Sequence, residues 1–268
     1  RDQNFIDMNA RVRDRLLAIA NAAATHLCVP LQGSGTFVVE AALCTLIPRD
    51  GKALILINGA YGHRMGKILD YAGRSYVVQE TPEDQPPSID ALDQALTDDP
   101  DISHVLTVHC ETTSGILNPV EEIVHTVKAH DRVVIIDAMS AFGAIELDST
   151  HVPFDALMAS SNKCLEGVPG MGFAIIRESV LAKCEGNAHS LSLDLYDQWQ
   201  AMEVNAQWRF TPPTHVIAAF DAAMDQFEAE GGVAGRHKRY SGNCRIIIDG
   251  MRSLGFEPLL SHNLQAPI

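Results

Sequence analysis

Four stretches of this chain hold side chains whose types and spacing could do chemistry. In MASSNKCLEGVPG (158–170), Lys163 follows small and polar residues at the exit of an apolar run. A lysine there either snorkels to solvent, as most do, or presents its amine for a Schiff base. Asp137, 26 residues earlier, ends the wholly apolar run VVIID. An aspartate at a strand end caps a turn or faces a cationic ring nitrogen. LQGSGTFVVEAALCTLI (31–47) places a Gly-Ser-Gly-Thr turn before a helical pattern. That turn either caps its own helix or brings free N–H groups and the Ser34 and Thr36 hydroxyls to a phosphate. In NGAYGHRMG (58–66), Tyr61 stands just past a strand end, packed in the core or stacked on a planar ring.

The elements around these residues alternate. Strand-like runs cover 53–58, 75–79, 104–110, 132–138, 154–160 and 172–177, each short and rich in β-branched residues. Helical spacing appears over 60–73 and 120–131, in a segment opened by Ser88 as N-cap, and again near 214–230 and 233–253. Such alternation predicts an α/β fold, a mainly parallel sheet with helices on both faces. Open parallel sheets bind ligands beyond the carboxyl ends of their strands, where all four stretches fall. Together they supply what pyridoxal 5′-phosphate requires: a phosphate anchor, a partner for the protonated ring nitrogen, a stacking face and an amine.

Composition narrows the partners. The 268 residues carry a formal charge of −14 and no block of five like charges, a field that repels nucleic acid and anionic lipid but leaves a local anion site possible. No apolar run approaches the roughly 20 residues that span a bilayer, and the first residues lack the apolar centre of a signal peptide. Six cysteines without a C-x-x-C pair predict a reducing, cytoplasmic setting. His104 and His109, five apart in one expected strand, point to opposite faces, and no metal site is indicated.

The stretches LQGSGTFVVEA, NGAYGHRMG, VHCETTSGILNP, VIIDAMSAFGAIELD, SSNKCLEGVPG, SLSLDLYDQW and WRFTPPTH resemble, in this order, the class V aminotransferases of the fold type I group, and within them the 2-aminoethylphosphonate–pyruvate branch. The resemblance implies a pyridoxal phosphate enzyme with Lys163 as the Schiff-base lysine and Asp137 on the ring nitrogen. It implies Tyr61 stacked on the ring, with Ser34, Gly35 and Thr36 at the phosphate and Asn162 near it. Thr113 corresponds to a hydroxyl near the ring. Thr211 and Thr214 belong to a segment that reaches the phosphate from a neighbouring subunit, which implies a homodimer with shared sites. Small molecules, an amino donor and a 2-oxo acid, are the implied substrates.

Residues 1–240 are expected to form the cofactor-binding large domain, and 241–268 the start of a truncated C-terminal domain. Alanine or serine transfer to glyoxylate, a cysteine desulfurase, and a non-catalytic nucleotide-binding α/β module are the alternatives. The last is disfavoured by the lack of a dinucleotide fingerprint.

Overall fold

A computed structural model describes residues 2–268. The chain opens with helix α1 (Gln3–Ile19), strand β1 (His26–Gly33), α2 (Gly35–Leu46), β2 (Lys52–Ile57), α3 (Ala60–Ala72), β3 (Ser75–Glu80) and α4 (Ile89–Asp98). It continues through β4 (Ile102–Val108), the short β5 (Cys110–Glu111) and β6 (Ile116–Leu117), α5 (Val120–Ala129), β7 (Val133–Asp137), β8 (Ala156–Ser160) and β9 (Gly170–Arg177). Helices α6 (Glu178–Leu181), α7 (Leu195–Asn205), α8 (Thr214–Ala229) and α9 (Gly232–Ser253) complete it. Ser88 caps α4 as its sequence suggests, its hydroxyl accepting the Ala91 N–H at 3.2 Å.

Seven strands form one sheet in the order β1-β9-β8-β7-β4-β2-β3. The run from β8 through β7, β4 and β2 to β3 is parallel throughout, whereas β9 is antiparallel to both of its neighbours. Side chains alternate across the sheet and sort into two cores. Leu54, Leu56, Val105, Val134, Ile136 and Leu157 face one layer with α1, α4, α5 and α8; Ala53, Ile55, Leu106, Ile135 and Met158 face the other with α2, α3 and α7. Both faces are apolar because both are covered, which is why these strands read as unbroken apolar runs.

Two expectations change. Strand β1 was not among the runs read from sequence; it holds Pro30, and it tolerates that proline because it lies at the sheet edge and pairs only with β9. The run expected as one strand over 104–110 divides: β4 stops at Val108, and His109 lies beyond it, its N–H bonded to Asp137 O at 2.8 Å and its carbonyl accepting from Asn118 at 2.9 Å. These bonds turn the chain into the β5–β6 hairpin. Helix α9 runs unbroken through residues 240 and 241. Among the described residues no helix is long and apolar enough to cross a membrane.

Phe173 sits fully buried on β9, its ring edge-on to Phe142 at 5.5 Å and stacked with Phe220 at 6.5 Å. It joins β9 to α8 and to the loop after β7. Phe173→Ala is expected to lower stability by about 3–5 kcal/mol in urea denaturation, with the slope of the transition unchanged.

Candidate active site

The site lies at the carboxyl ends of β7 and β8, and the turn from β1 into α2 closes it on another side. A cavity of about 530 Å³ is lined by Ser34, Gly35, Thr36, Tyr61, Asp137, Asn162 and Lys163. Seven of the ten residues singled out from sequence thus meet in one place.

Each arrives for a local reason. Ser34 has extended backbone as the N-cap of α2 and makes no side-chain capping bond, so its hydroxyl is not spent on its own helix. The first-turn N–H groups of Gly35 and Thr36 have no partner within the helix, which makes that end a ready anion site. Gly35 must lack a side chain for a second reason: a Cβ there would stand 2.6 Å from Met139 Sδ, two residues after Asp137. Tyr61 lies in the first turn of α3, whose N-cap Gly59 offers no side-chain cap. The buried Glu111 carboxylate does that work from another element, accepting the Tyr61 N–H at 3.3–3.4 Å. A Cβ on Gly59 would fall 2.4 Å from the Glu111 side chain, so the glycine admits the carboxylate.

Asp137 is only 3% exposed. Its Oδ1 accepts the Met139 N–H at 2.9 Å. Burial pushes its carboxyl up to about 6; the Met139 bond opposes this, Glu111 reinforces it, and Arg64 and Lys163 pull the other way. Asn162 and Lys163 occupy the turn between β8 and β9 and open into the cavity as exposed residues.

Three residues fall elsewhere. Thr113 does not line the cavity: its hydroxyl donates to Glu111 Oε1 at 2.8 Å, on the Gly59 side. The neighbouring Thr112 is the one that shares a smaller cavity, about 300 Å³, with Lys163, and its hydroxyl is 2.7 Å from Ser140 Oγ. Successive residues of the β5–β6 hairpin point opposite ways, and sequence alone gave no register. Thr211 and Thr214 line a separate cavity of about 760 Å³ beside Phe5 and Trp208. Within one chain they do not join the Lys163 site.

Arg64 was overlooked. Its guanidinium carbon lies 4.5 Å from the centre of the Tyr61 ring, and Nη1 donates to Thr36 Oγ1 at 3.3 Å, so one cation bridges the aromatic and the phosphate turn. The i, i+3 spacing from Tyr61 on a helix is the signal that points to it.

These donors and acceptors fit pyridoxal phosphate. N–H groups and hydroxyls at a helix start suit its phosphate, and a buried carboxylate with no salt-bridge partner among the described residues suits a protonated ring nitrogen. The fold and this cavity suit a pyridoxal phosphate enzyme. Residues 2–263 match the aminotransferase class-V family, and the chain belongs to it. It is 54% identical, over 267 residues, to a Pseudomonas putida protein named 2-aminoethylphosphonate–pyruvate transaminase, covering 100% of this chain and 73% of that one. It is equally similar, at 54%, to 2-aminoethylphosphonate–pyruvate transaminase 2 of Burkholderia lata, of which it covers 71%. Pyridoxamine–pyruvate aminotransferase of Mesorhizobium loti superposes with a TM-score of 0.90 at 26% identity, over 99% of this chain and 68% of that one. An alanine–glyoxylate aminotransferase from Nostoc sp. shares the fold, with a TM-score of 0.93 at 18% identity over 99% of this chain and 71% of that one.

The buried charge makes a prediction for the cofactor-free protein. The Asp137 carboxyl lies at about 6 in the fold against about 3.9 in an unfolded chain, so the folded state is penalised wherever Asp137 is ionised. Asp137→Asn removes that penalty and is expected to stabilise the cofactor-free protein by up to about 3 kcal/mol above pH 6. The gain should shrink as pH falls from about 6 and vanish well below about 4, where wild-type Asp137 is protonated in both states. Thermal unfolding of both proteins across this range is the measurement, and a gain independent of pH would contradict the assignment.

Proposed function

We propose that the enzyme moves the amino group of 2-aminoethylphosphonate to pyruvate, giving phosphonoacetaldehyde and alanine, as a step in phosphonate degradation. The observation that carries this reading is the 54% identity, over the whole chain, to relatives of that name. Bound pyridoxal phosphate supplies an aldehyde carbon and a ring that withdraws electrons from the adjoining C–H bond.

The residues divide the work. Lys163 would hold the cofactor through Nζ; freed when a donor amine takes its place, Nζ would accept the proton from the donor carbon that bears the nitrogen and return it to the cofactor's aldehyde carbon. Asp137 would keep the ring nitrogen protonated, and its burial would strengthen that pairing. Ser34, Gly35 and Thr36 hold the phosphate, with Asn162 beside them. Tyr61 covers a face of the ring, and Arg64 adds positive charge between ring and phosphate. Thr113 would bring a hydroxyl near the ring, and Thr112 stands in the smaller cavity that Lys163 and Ser140 also line.

Thr211 and Thr214 complete the phosphate site of a second copy, a reading supported by their lining a cavity other than the Lys163 cavity of their own chain. The catalytic unit is then a homodimer. We assign residues 1–240 to the cofactor-binding large domain. A cytoplasmic setting is supported by six free cysteines. A desulfurase would need a mobile nucleophilic thiol, and five of these cysteines are buried.

Lys163→Ala is expected to abolish both the covalent fixation of cofactor by borohydride and turnover of 2-aminoethylphosphonate with pyruvate, leaving the fold intact. Wild type with alanine or serine as donor and glyoxylate as acceptor should turn over more slowly; a reversed preference would assign the other transfer. Mixing Thr214→Val with Lys163→Ala subunits should restore activity, since one site of the heterodimer is then intact. An active monomer on a sizing column would end the shared-site reading.

A further inference from the structure

Arg236 is a buried charge for which the chemistry described so far has no use. Only 1% of it is exposed. Burying a guanidinium costs free energy unless its donors are matched, so its partners show what it is for. Nε donates to Glu230 Oε2 at 2.7 Å, and the guanidinium lies 5.2 Å from the Phe227 ring. Nη1 donates to the backbone carbonyl of Cys164, the residue after Lys163, and lies 3.4 Å from Glu166 Oε2.

The rest of the same helix face acts on the same turn. Arg239 and Tyr240 stand three and four residues after Arg236, on one side of α9. Arg239 Nη2 donates to Glu166 Oε1 at 2.8 Å and Tyr240 Oη donates to it at 2.7 Å. Hydrogen bonds from Arg239 and Arg236 pull Glu230 down to about 2, so the acid that orients both arginines stays ionised. One residue on, His237 shares a hydrogen with Ala144 O at 2.9 Å, which ties α9 to the loop that follows Asp137.

The turn needs such support. Glu166 adopts a left-handed conformation, with φ of 58°, that a non-glycine residue rarely takes. The turn's internal closure is two backbone bonds, from Glu166 N to Lys163 O and from Gly167 N to Ser161 O, both 2.8 Å.

We propose that Arg236 is a positioning residue for the amine-transfer reaction: with Glu166, Arg239 and Tyr240 it clamps the Lys163 turn onto α9 and fixes where Nζ stands. The proposal rests on the reading of Lys163 as the cofactor lysine. A movement of α9 would carry Lys163 with it.

Amide hydrogen exchange on the cofactor-free protein tests the clamp without activity. In Arg236→Gln the Glu166 and Gly167 amides should exchange about tenfold faster or more, while amides of β8 such as Leu157 keep their wild-type rates. With cofactor, kcat should fall about tenfold with the donor KM within about threefold, because donor binding is retained and amine placement is lost. Arg236→Lys, which keeps the charge but not the fork, should lie between the two. If Arg236→Gln fails to fold, Glu166→Gln and Tyr240→Phe, which alter the exposed side of the clamp, must show the same selective rise. Unchanged exchange at Glu166 and Gly167 in the folded variants overturns the proposal. Covalent fixation of the cofactor to Lys163→Ala protein by borohydride would instead overturn the reading of Lys163, whatever the exchange result.

Discussion

A carboxylate held out of water at the end of a central strand needs a cation in front of it, and among the described residues none is close enough to Asp137 to make a salt bridge. Its single close donor is the Met139 backbone N–H. The fold accepts this because β7 lies mid-sheet, between β4 and β8, with both faces covered. A strand so placed cannot turn its last side chain to solvent. What remains is a cavity whose electrostatics favour a protonated nitrogen at that point.

The other site residues answer to the same geometry. The parallel strands β7 and β8 end side by side, Asp137 pairing with Met158, so the turn after β8 must pass close to the end of β7. Lys163 is in that turn. The α2 start packs so near the loop after Asp137 that only glycine fits at position 35 without moving Met139. Phosphate turn, carboxylate and amine therefore stand at fixed separations without one side-chain bond between them. Rigidity comes from the sheet and, at the Lys163 turn, from α9. Preorganisation of this kind lets a site bind a flat, charged ligand without reordering itself.

Much of this was legible in the sequence. Each of β7 and β8 is a short apolar run with the informative residue just at or after its end, and open parallel sheets put function there. The glycine-rich turn was legible because its residue types have few other uses in that order. Strand direction was not: nothing in the apolar run of β9 says that it is antiparallel to β8. Pro30 hid β1, since a proline argues against a strand until the strand is known to be at an edge. That Thr112 rather than Thr113 shares a cavity with Lys163 was not legible either, because both lie in the loop between the two-residue strands β5 and β6, where no residue pattern sets the geometry. Glu111 and Arg236 were invisible for a different reason. Their roles depend on contacts 50 and 72 residues along the chain, made by elements whose meeting no local pattern records.

The central claim is that one lysine, placed by the β8 turn opposite a buried aspartate, holds the cofactor. Borohydride reduction of the cofactor-loaded protein, followed by proteolysis and mass mapping, tests it most directly. The reduced cofactor is expected on the peptide containing Lys163 and on no other lysine. Its recovery on another lysine would contradict the account.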